Sequence, residues 1–283
     1  MTLPALVSTE WLAGRLDQDG LRVLDASWYL PTAGRDARAE YLAGHLPGAL
    51  FFDLDAVSDP DTPLPHMLPS PEAFAGAMSA LGLRDGDDLV IYDGTGANMS
   101  AARAWWMFRV FGHPAVALLD GGSGKWRREG RPLEAGAVRL PPGRFSATPD
   151  RRAVRDLAAL QSNLRTQREQ VVDLRPAGRF RGTDPEPRPG LRGGHIPGSR
   201  SMPYLDLVAA DGTLLPPDEL RRRLEEAGID LARPLVATCG SGTSACTLLH
   251  ALHLLGHDRT ALYDGSWTEW GGRNDVPVST GPA

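Results

Sequence analysis

The pentapeptide GHLPG at residues 44–48 returns as GHIPG at residues 194–198, and this repetition decides how the whole chain is organised. Two further stretches repeat in the same order: VLD at 23–25 returns as VVD at 171–173, and LDGG at 119–122 returns as YDGS at 263–266. The three offsets, counted between the numbered residues, are 150, 148 and 144 positions. A nearly constant offset of half the chain indicates a duplicated domain.

Each half of the 283-residue chain is long enough to bury a core of its own. We therefore predict two tandem domains, at residues 1–134 and 151–283, joined by a linker at residues 135–150. The linker is placed there because the surrounding stretch is interrupted by Pro and Gly and shows neither the helical nor the strand period.

Short apolar runs alternate with segments of helical period in both copies. The first copy predicts strands at 22–24, 50–52, 89–92 and 116–118, with helices near 71–81 and 100–111. The second copy predicts strands at 171–173, 235–238 and 261–263, with helices near 217–227 and 244–255. This alternation indicates an α/β fold, in which each domain is a mostly parallel sheet with helices on both faces.

The charge of the chain argues against a nucleic-acid or anionic-membrane partner. Its 30 basic and 35 acidic residues give a net charge of -5, and the arginines form no stripe. No stretch approaches the ~20 apolar residues of a membrane helix, and charged residues interrupt every candidate targeting segment within residues 1–20. Two cysteines fit a reducing compartment. We therefore expect a cytoplasmic protein.

The segment CGSGTSAC at residues 239–246 lies between a predicted strand and a predicted helix, which is where ligands bind in open α/β sheets. Its two glycines and three hydroxyl residues let the backbone curl, so that N–H groups point at the Cys239 sulfur. Such a cradle stabilises a thiolate or a persulfide anion, so we predict that Cys239 is a nucleophile. Cys246 lies in an apolar helical stretch and is predicted to be core. The first copy has Asp93 in the position of Cys239.

The tandem repeat, the two histidine motifs and the cysteine loop resemble the rhodanese superfamily, and within it the 3-mercaptopyruvate sulfurtransferases. Other matching stretches are LDASWYLP at 24–31, WWMFR at 105–109 and YDGSW at 263–267, so the resemblance covers almost the whole chain. Those enzymes typically carry CGSGVTAC where this chain has CGSGTSAC. The difference, at Thr243 and Ser244, bears on substrate preference more than on the chemistry.

The resemblance implies a sulfur transfer through a persulfide on Cys239, without a cofactor. By the same resemblance, Asp55, His66 and Ser241 form a hydrogen-bonded relay beside the sulfur. Its use is to protonate the pyruvate enolate that remains when sulfur leaves the substrate. The remaining loop residues are expected to bind the substrate around the sulfur: Gly240, Gly242, Thr243 and Ser244.

Five arginines lie between residues 175 and 192, in a loop interrupted by prolines and glycines. From the residues alone, they are either solvated and paired with Asp184 and Glu186, or folded back so that two guanidinium groups meet one carboxylate. The resemblance favours the second alternative. It implies that Arg179 and Arg188 hold the carboxylate and the carbonyl of 3-mercaptopyruvate.

The other histidine motifs are assigned no chemistry. His45 and His195 occupy the same turn in both copies although only one copy has the cysteine, which indicates a structural role. His250, His253 and His257 have the helical spacing of metal ligands. A glycine before His257 is expected to end the helix, so no metal site is predicted.

Three other functions fit parts of the sequence. Thiosulfate sulfurtransferases resemble this chain but place cations in the cysteine loop, and residues 240–244 supply none. A cysteine phosphatase needs Arg six residues after the cysteine, where this chain has Ala245. A non-enzymatic sulfur carrier fits the first copy but not the intact loop of the second. The leading hypothesis is transfer from 3-mercaptopyruvate to a thiol acceptor such as thioredoxin, or to cyanide in an assay.

Overall fold

A computed structural model describes residues 3–282, so Met1, Thr2 and Ala283, at the outer ends of the two predicted domains, lie outside the described residues. The chain divides into two compact units. The first unit contains Met1–Pro60, Leu68–Asp150 and Ala209–Leu214, and the second contains Asp61–Met67, Arg151–Val208 and Leu215–Ala283. Each unit therefore includes one short segment from the opposite half of the sequence. Within the described residues, no helix has both the length and the apolar character needed to cross a membrane.

The first unit is built on a five-stranded parallel sheet. Its strands are β1 (Leu6–Val7), β2 (Leu21–Asp25), β3 (Leu50–Phe51), β4 (Asp88–Tyr92) and β5 (Val116–Leu119). Its helices are α1 (Thr9–Ala13), α2 (Ala37–Ala43), α3 (Leu54–Val57), α4 (Pro71–Ala80), α5 (Met99–Val110) and α6 (Gly122–Arg128), with a 3-10 turn at Pro31–Ala33. The strands pair in the order β1-β5-β4-β2-β3, and all pairs are parallel.

The second unit repeats this arrangement. Its strands are β6 (Val154–Arg155), β7 (Gln170–Asp173), β8 (Arg200–Ser201), β9 (Leu235–Thr238) and β10 (Thr260–Tyr263). Its helices are α7 (Leu157–Thr166), α8 (Ala177–Arg181), α9 (Pro217–Glu226), α10 (Ala245–Leu254) and α11 (Ser266–Gly272), with 3-10 turns at Arg151–Ala153 and Tyr204–Leu207. The parallel order is β6-β10-β9-β7-β8.

The predicted α/β fold with two parallel sheets is confirmed. Every strand and helix predicted from the sequence is present, and no end is displaced by more than one residue. All residues of β5, β7 and β9 are buried, as expected for parallel strands covered on both faces. The middle strands of the two sheets, β4 and β9, are followed directly by Asp93 and Cys239.

The two histidine turns have the structural role that the repeat predicts. In each turn, the Nδ1 atom donates to a carbonyl oxygen, that of Tyr41 for His45 (2.8 Å) and that of Phe180 for His195 (2.9 Å). Each ring also stacks on the side chain of the same partner, with centroid distances of 4.1 and 3.8 Å. Both histidines are buried. They tie the chain that follows α2 and α8 back onto those helices.

Residues 135–150, predicted as a linker, contain no helix or strand and pack within the first unit. Phe145 is buried there, and its ring lies 5.9 Å from that of Phe74 and 5.8 Å from that of Phe108. The Thr148 N–H donates to the carbonyl of Phe111. This stretch therefore contributes to the core of the first unit.

Candidate active site

The first turn of α11 forms hydrogen bonds with the backbone of Cys239 and Gly240. The Cys239 carbonyl accepts from the Trp267 N–H (2.9 Å), and the Cys239 N–H donates to Ser266 Oγ (3.3 Å). The Gly240 carbonyl accepts from the N–H and the hydroxyl of Thr268 (2.9 and 2.7 Å). Cys239 is only 2% exposed. These bonds fix the peptide planes on which the sulfur is mounted.

Sequence reasoning missed the anchoring residues Ser266 and Thr268. The signal for Ser266 was its place in a repeated motif, but nothing in that motif indicates a contact with the cysteine. Ser266 has a φ of 50°, a left-handed conformation that is uncommon outside glycine. Backbone strain of this kind persists where surrounding contacts enforce it, and it gathers at functional sites.

The rest of the loop curves from Gly240 into α10. Gly242 has a φ of 73°, where a side chain would be strained, so glycine is required at this position. The Cys246 thiol donates to the Gly242 carbonyl (3.2 Å), and the Cys246 N–H donates to the Thr243 carbonyl (3.1 Å). Cys246 is fully buried and supports the loop from the helix, as its predicted core position implies. Ser244 is the last residue before the helix.

His66 lies in the segment Asp61–Met67, which belongs to the second unit. Its side chain is buried, and its Nδ1 atom lies 2.9 Å from Ser241 Oγ and 3.0 Å from Thr243 Oγ1. The hydrogen bond expected between His66 and Ser241 is therefore present. Sequence reasoning placed Thr243 only in substrate binding and missed its contact with the imidazole. The φ of His66 is 64°, again in the left-handed region.

Asp55, the third member of the expected relay, lies in α3 of the first unit. It is exposed, and its Oδ2 atom accepts from the indole N–H of Trp28 (3.0 Å). The side chain of Asp53 caps the same helix by accepting from the Ala56 N–H. The assignment of Asp55 to the relay stays a prediction.

The two predicted substrate arginines meet beside the cysteine. A Cβ atom added at Gly240 would lie 3.3 Å from Arg179 Nη2 and 3.6 Å from Arg188 Nη1. The guanidinium groups thus fill the space that the missing side chain leaves. Arg188 Nη2 also contacts Ser241 Oγ at 3.5 Å. The structure therefore brings two forked cations together next to Cys239, the geometry that suits a small carboxylate.

Glu186 holds this arrangement from within the unit and was not identified as important in the sequence. Its Oε2 accepts from Arg179 Nη2 (2.6 Å), and its Oε1 accepts from Arg175 Nη1 (2.7 Å). The Glu186 side chain is 2% exposed, so the pair expected for solvated loop arginines exists but is buried. Arg175 also binds Asp173 and the Gly194 carbonyl.

Burial and the acidic neighbours act in opposite directions on the pKa of Arg175. Burial alone would lower the pKa of Arg175, but the carboxylates of Asp173 and Glu186 outweigh burial and raise it. The guanidinium also lies over the Trp267 ring, with its central carbon 4.1 Å from the ring centroid. Because Trp267 donates to the Cys239 carbonyl, one network links the arginine loop to the anchored cysteine.

The histidines of α10 do not assemble a metal site within residues 3–282, where no group of three or more His, Cys, Asp or Glu is placed to hold a metal ion. The helix ends at Leu254, before His257. His250 is buried within the helix, whereas His253 lies 3.9 Å from the Asp258 carboxylate.

Comparison with known proteins finds similar chains over nearly the whole length of this one. The model of the rhodanese-like domain matches residues 8–129 and 156–273. A human 3-mercaptopyruvate sulfurtransferase is 46% identical over 271 residues, covering 94% of this chain and 91% of its own. Arabidopsis thaliana thiosulfate/3-mercaptopyruvate sulfurtransferase 1, mitochondrial, is 43% identical over 300 residues, covering 99% and 79%. A crystal structure of a 3-mercaptopyruvate sulfotransferase from Escherichia coli has a TM-score of 0.85 at 41% identity, covering 94% and 99%.

Glu186→Gln tests whether the buried carboxylate maintains the arginine network. The substitution keeps the side-chain shape but removes a negative partner from the buried Arg175 and from the partly buried Arg179. We expect a loss of unfolding free energy on the order of 3 kcal/mol, measured by urea denaturation. The matched control is Glu219→Gln, which removes a partly exposed surface carboxylate that also binds two arginines, Arg222 and Arg223. The control should leave the denaturation midpoint unchanged, and equal effects of the two substitutions would contradict the assignment.

Proposed function

The chain belongs to the rhodanese family of sulfurtransferases, and from that premise we propose that it takes sulfur from 3-mercaptopyruvate through a persulfide on Cys239. The observation that carries this proposal is the buried hydrogen bond between His66 Nδ1 and Ser241 Oγ (2.9 Å). Ser241 is two residues after the nucleophile, and this bond holds the His66 imidazole against its hydroxyl. An imidazole is the usual carrier of protons near neutral pH.

The proposed first step is attack by the Cys239 thiolate on the sulfur of 3-mercaptopyruvate. A bond forms between the two sulfur atoms, and the bond between sulfur and the methylene carbon breaks. Its electron pair stays with carbon as the enolate of pyruvate. In the second step, an acceptor thiolate attacks the outer sulfur of the persulfide and restores the Cys239 thiolate. Covalent catalysis thus divides one transfer into two easier ones.

The enolate explains the relay. It must take up a proton to leave as pyruvate, and Ser241 is placed to donate one while His66 replaces it. Thiosulfate would leave sulfite, an anion that needs no protonation at carbon. A buried imidazole paired with a loop hydroxyl therefore favours 3-mercaptopyruvate as the donor. Asp55 is proposed as the third member of this relay on the basis of the family motif alone.

The carboxylate of 3-mercaptopyruvate is proposed to lie between Arg179 and Arg188, whose guanidinium groups meet beside Gly240. Held there, the substrate directs its sulfur toward Cys239. Glu186 neutralises part of the charge of Arg179. We propose that the backbone of Gly240, Gly242, Thr243 and Ser244 surrounds the transferred sulfur.

Transfer from thiosulfate is the second candidate, because the Arabidopsis relative carries both donors in its name. The cysteine loop contains no charged side chain, but Arg179 and Arg188 bring two cations to it from another loop. The absence of cations from residues 240–244 is therefore a weaker argument against thiosulfate than the sequence suggested. Donor preference depends instead on whether the relay is used.

We further propose a thiol acceptor such as thioredoxin, and a cytoplasmic location. Neither cysteine forms a disulfide, and both are buried, as suits a protein of a reducing compartment. A small thiol or a reduced protein dithiol would supply the attacking thiolate of the second step.

His66→Asn tests the donor assignment. Asparagine tolerates the left-handed backbone at this position but cannot carry a proton. We expect kcat for pyruvate release from 3-mercaptopyruvate to fall by roughly 10²-fold or more, the usual contribution of a general acid. Sulfite release from thiosulfate should change only a few-fold, on the same estimate. Equal losses with both donors would show that the relay does not select the donor.

Arg188→Ala tests the carboxylate site. Loss of a charge-assisted hydrogen bond to the substrate should lower kcat/KM for 3-mercaptopyruvate about tenfold or more. Arg181→Ala removes an exposed arginine of the same stretch and serves as the control, with kcat/KM expected to remain unchanged. Retention of full kcat/KM by Arg188→Ala would remove Arg188 from the substrate site.

A further inference from the structure

The imidazole of His66 has two hydroxyl partners at one nitrogen atom. Ser241 Oγ lies 2.9 Å and Thr243 Oγ1 lies 3.0 Å from His66 Nδ1. All three side chains are buried. The related motif quoted above has Val in place of Thr243, so the second hydroxyl belongs to this chain's own loop.

We propose that Thr243 is a positioning residue for the reaction, which holds the His66 ring while Ser241 exchanges its proton. The inference rests on the proposed function. An imidazole nitrogen carries either one hydrogen or one lone pair, so it makes one strong hydrogen bond at a time and two hydroxyls share it. As the Ser241 hydroxyl protonates the enolate, Nδ1 passes its proton to Ser241 Oγ, and the lone pair left on Nδ1 then accepts from the Thr243 hydroxyl. The ring therefore keeps its orientation through proton transfer.

The two hydroxyl residues differ in stiffness. Thr243 is β-branched, which restricts its χ1 rotation, and its carbonyl is bonded to the Cys246 N–H in the first turn of α10. Ser241 is unbranched, so its χ1 rotation is intrinsically less restricted, although Arg188 Nη2 also contacts its Oγ at 3.5 Å. Thr243 is thus the more restricted of the two hydroxyl partners of the imidazole.

His66 itself requires such a holder. Its φ of 64° is unfavourable for a histidine, and a strained residue persists only where its surroundings restrain it from several sides. The two hydroxyls come from a loop far along the chain: Ser241 lies 175 residues and Thr243 lies 177 residues after His66. Removing the Thr243 hydroxyl should loosen the ring without removing a side chain that is proposed to contact the substrate.

The test compares kcat and KM for pyruvate release from 3-mercaptopyruvate in Thr243→Val, Thr243→Ser, His66→Asn and the double variant Thr243→Val/His66→Asn. We expect Thr243→Val to lower kcat about three- to tenfold, the loss of one hydrogen bond, with KM changed less than about twofold. Thr243→Ser should restore kcat. In the His66→Asn background, Thr243→Val should have no further effect, because Thr243 acts through the imidazole.

The matched control is Thr247→Val, which removes a buried threonine hydroxyl one turn further along α10. Among the described residues, Thr247 Oγ1 has no hydrogen-bond partner, so kcat should be unchanged. If Thr243→Val fails to fold, as seen by circular dichroism, Thr243→Ala replaces it as the variant without the hydroxyl. Two outcomes would contradict this inference but not the proposed function, provided that the wild type is active. One is an unaltered kcat in the variant without the Thr243 hydroxyl, and the other is an equal loss of kcat in the His66→Asn background. A wild type that releases no pyruvate instead contradicts the proposed function.

Discussion

The attachment of the Cys239 and Gly240 backbone to the first turn of α11 is the constraint on which the site depends. Because both carbonyls are bonded to Trp267 and Thr268, the two peptide planes cannot rotate to follow a substrate. The Cβ atom that carries the sulfur therefore keeps one position at the end of the middle strand, β9. Two further features follow from this fixed backbone. The loop hydroxyls reach the buried imidazole, and the open face of Gly240 admits the arginine side chains.

The first copy shows what the same position does without a sulfur. Asp93 follows the middle strand β4, and its carboxylate accepts from the N–H and hydroxyl of Thr95, from those of Ser100 and from the Ala101 N–H. An anion is thus the natural occupant of this loop in the fold. In the first copy the Asp93 side chain itself accepts these hydrogen bonds and has no sulfur to transfer. In the second copy Cys239 has this position. In the proposed reaction its thiolate accepts a sulfur atom from the substrate, and the resulting persulfide gives that atom to the acceptor.

The sequence predicts the strands that lie in apolar runs and four long helices, but not α7 (Leu157–Thr166), which also has ten residues. Buried strands such as β5 read as unbroken apolar runs, whereas β1, β6 and β8, with two residues each, were not predicted. The nucleophile could be identified because loop chemistry is local. The partners of the site were harder to see. His66 is far from Cys239 in the sequence, and only folding brings its segment into the second unit. Glu186 and Ser266 act through buried contacts that cannot be deduced from residue spacing.

The claim that Cys239 alone carries the sulfur is tested most directly by mass spectrometry. The protein would be mixed with 3-mercaptopyruvate, alkylated to trap the persulfide, digested and fragmented. Fragmentation is needed because no Lys or Arg separates Cys239 from Cys246. We predict one added sulfur atom on Cys239 and none on Cys246, with loss of the signal in Cys239→Ser and its retention in Cys246→Ser. Sulfur on Cys246, or no gain on either cysteine, would contradict the proposed transfer.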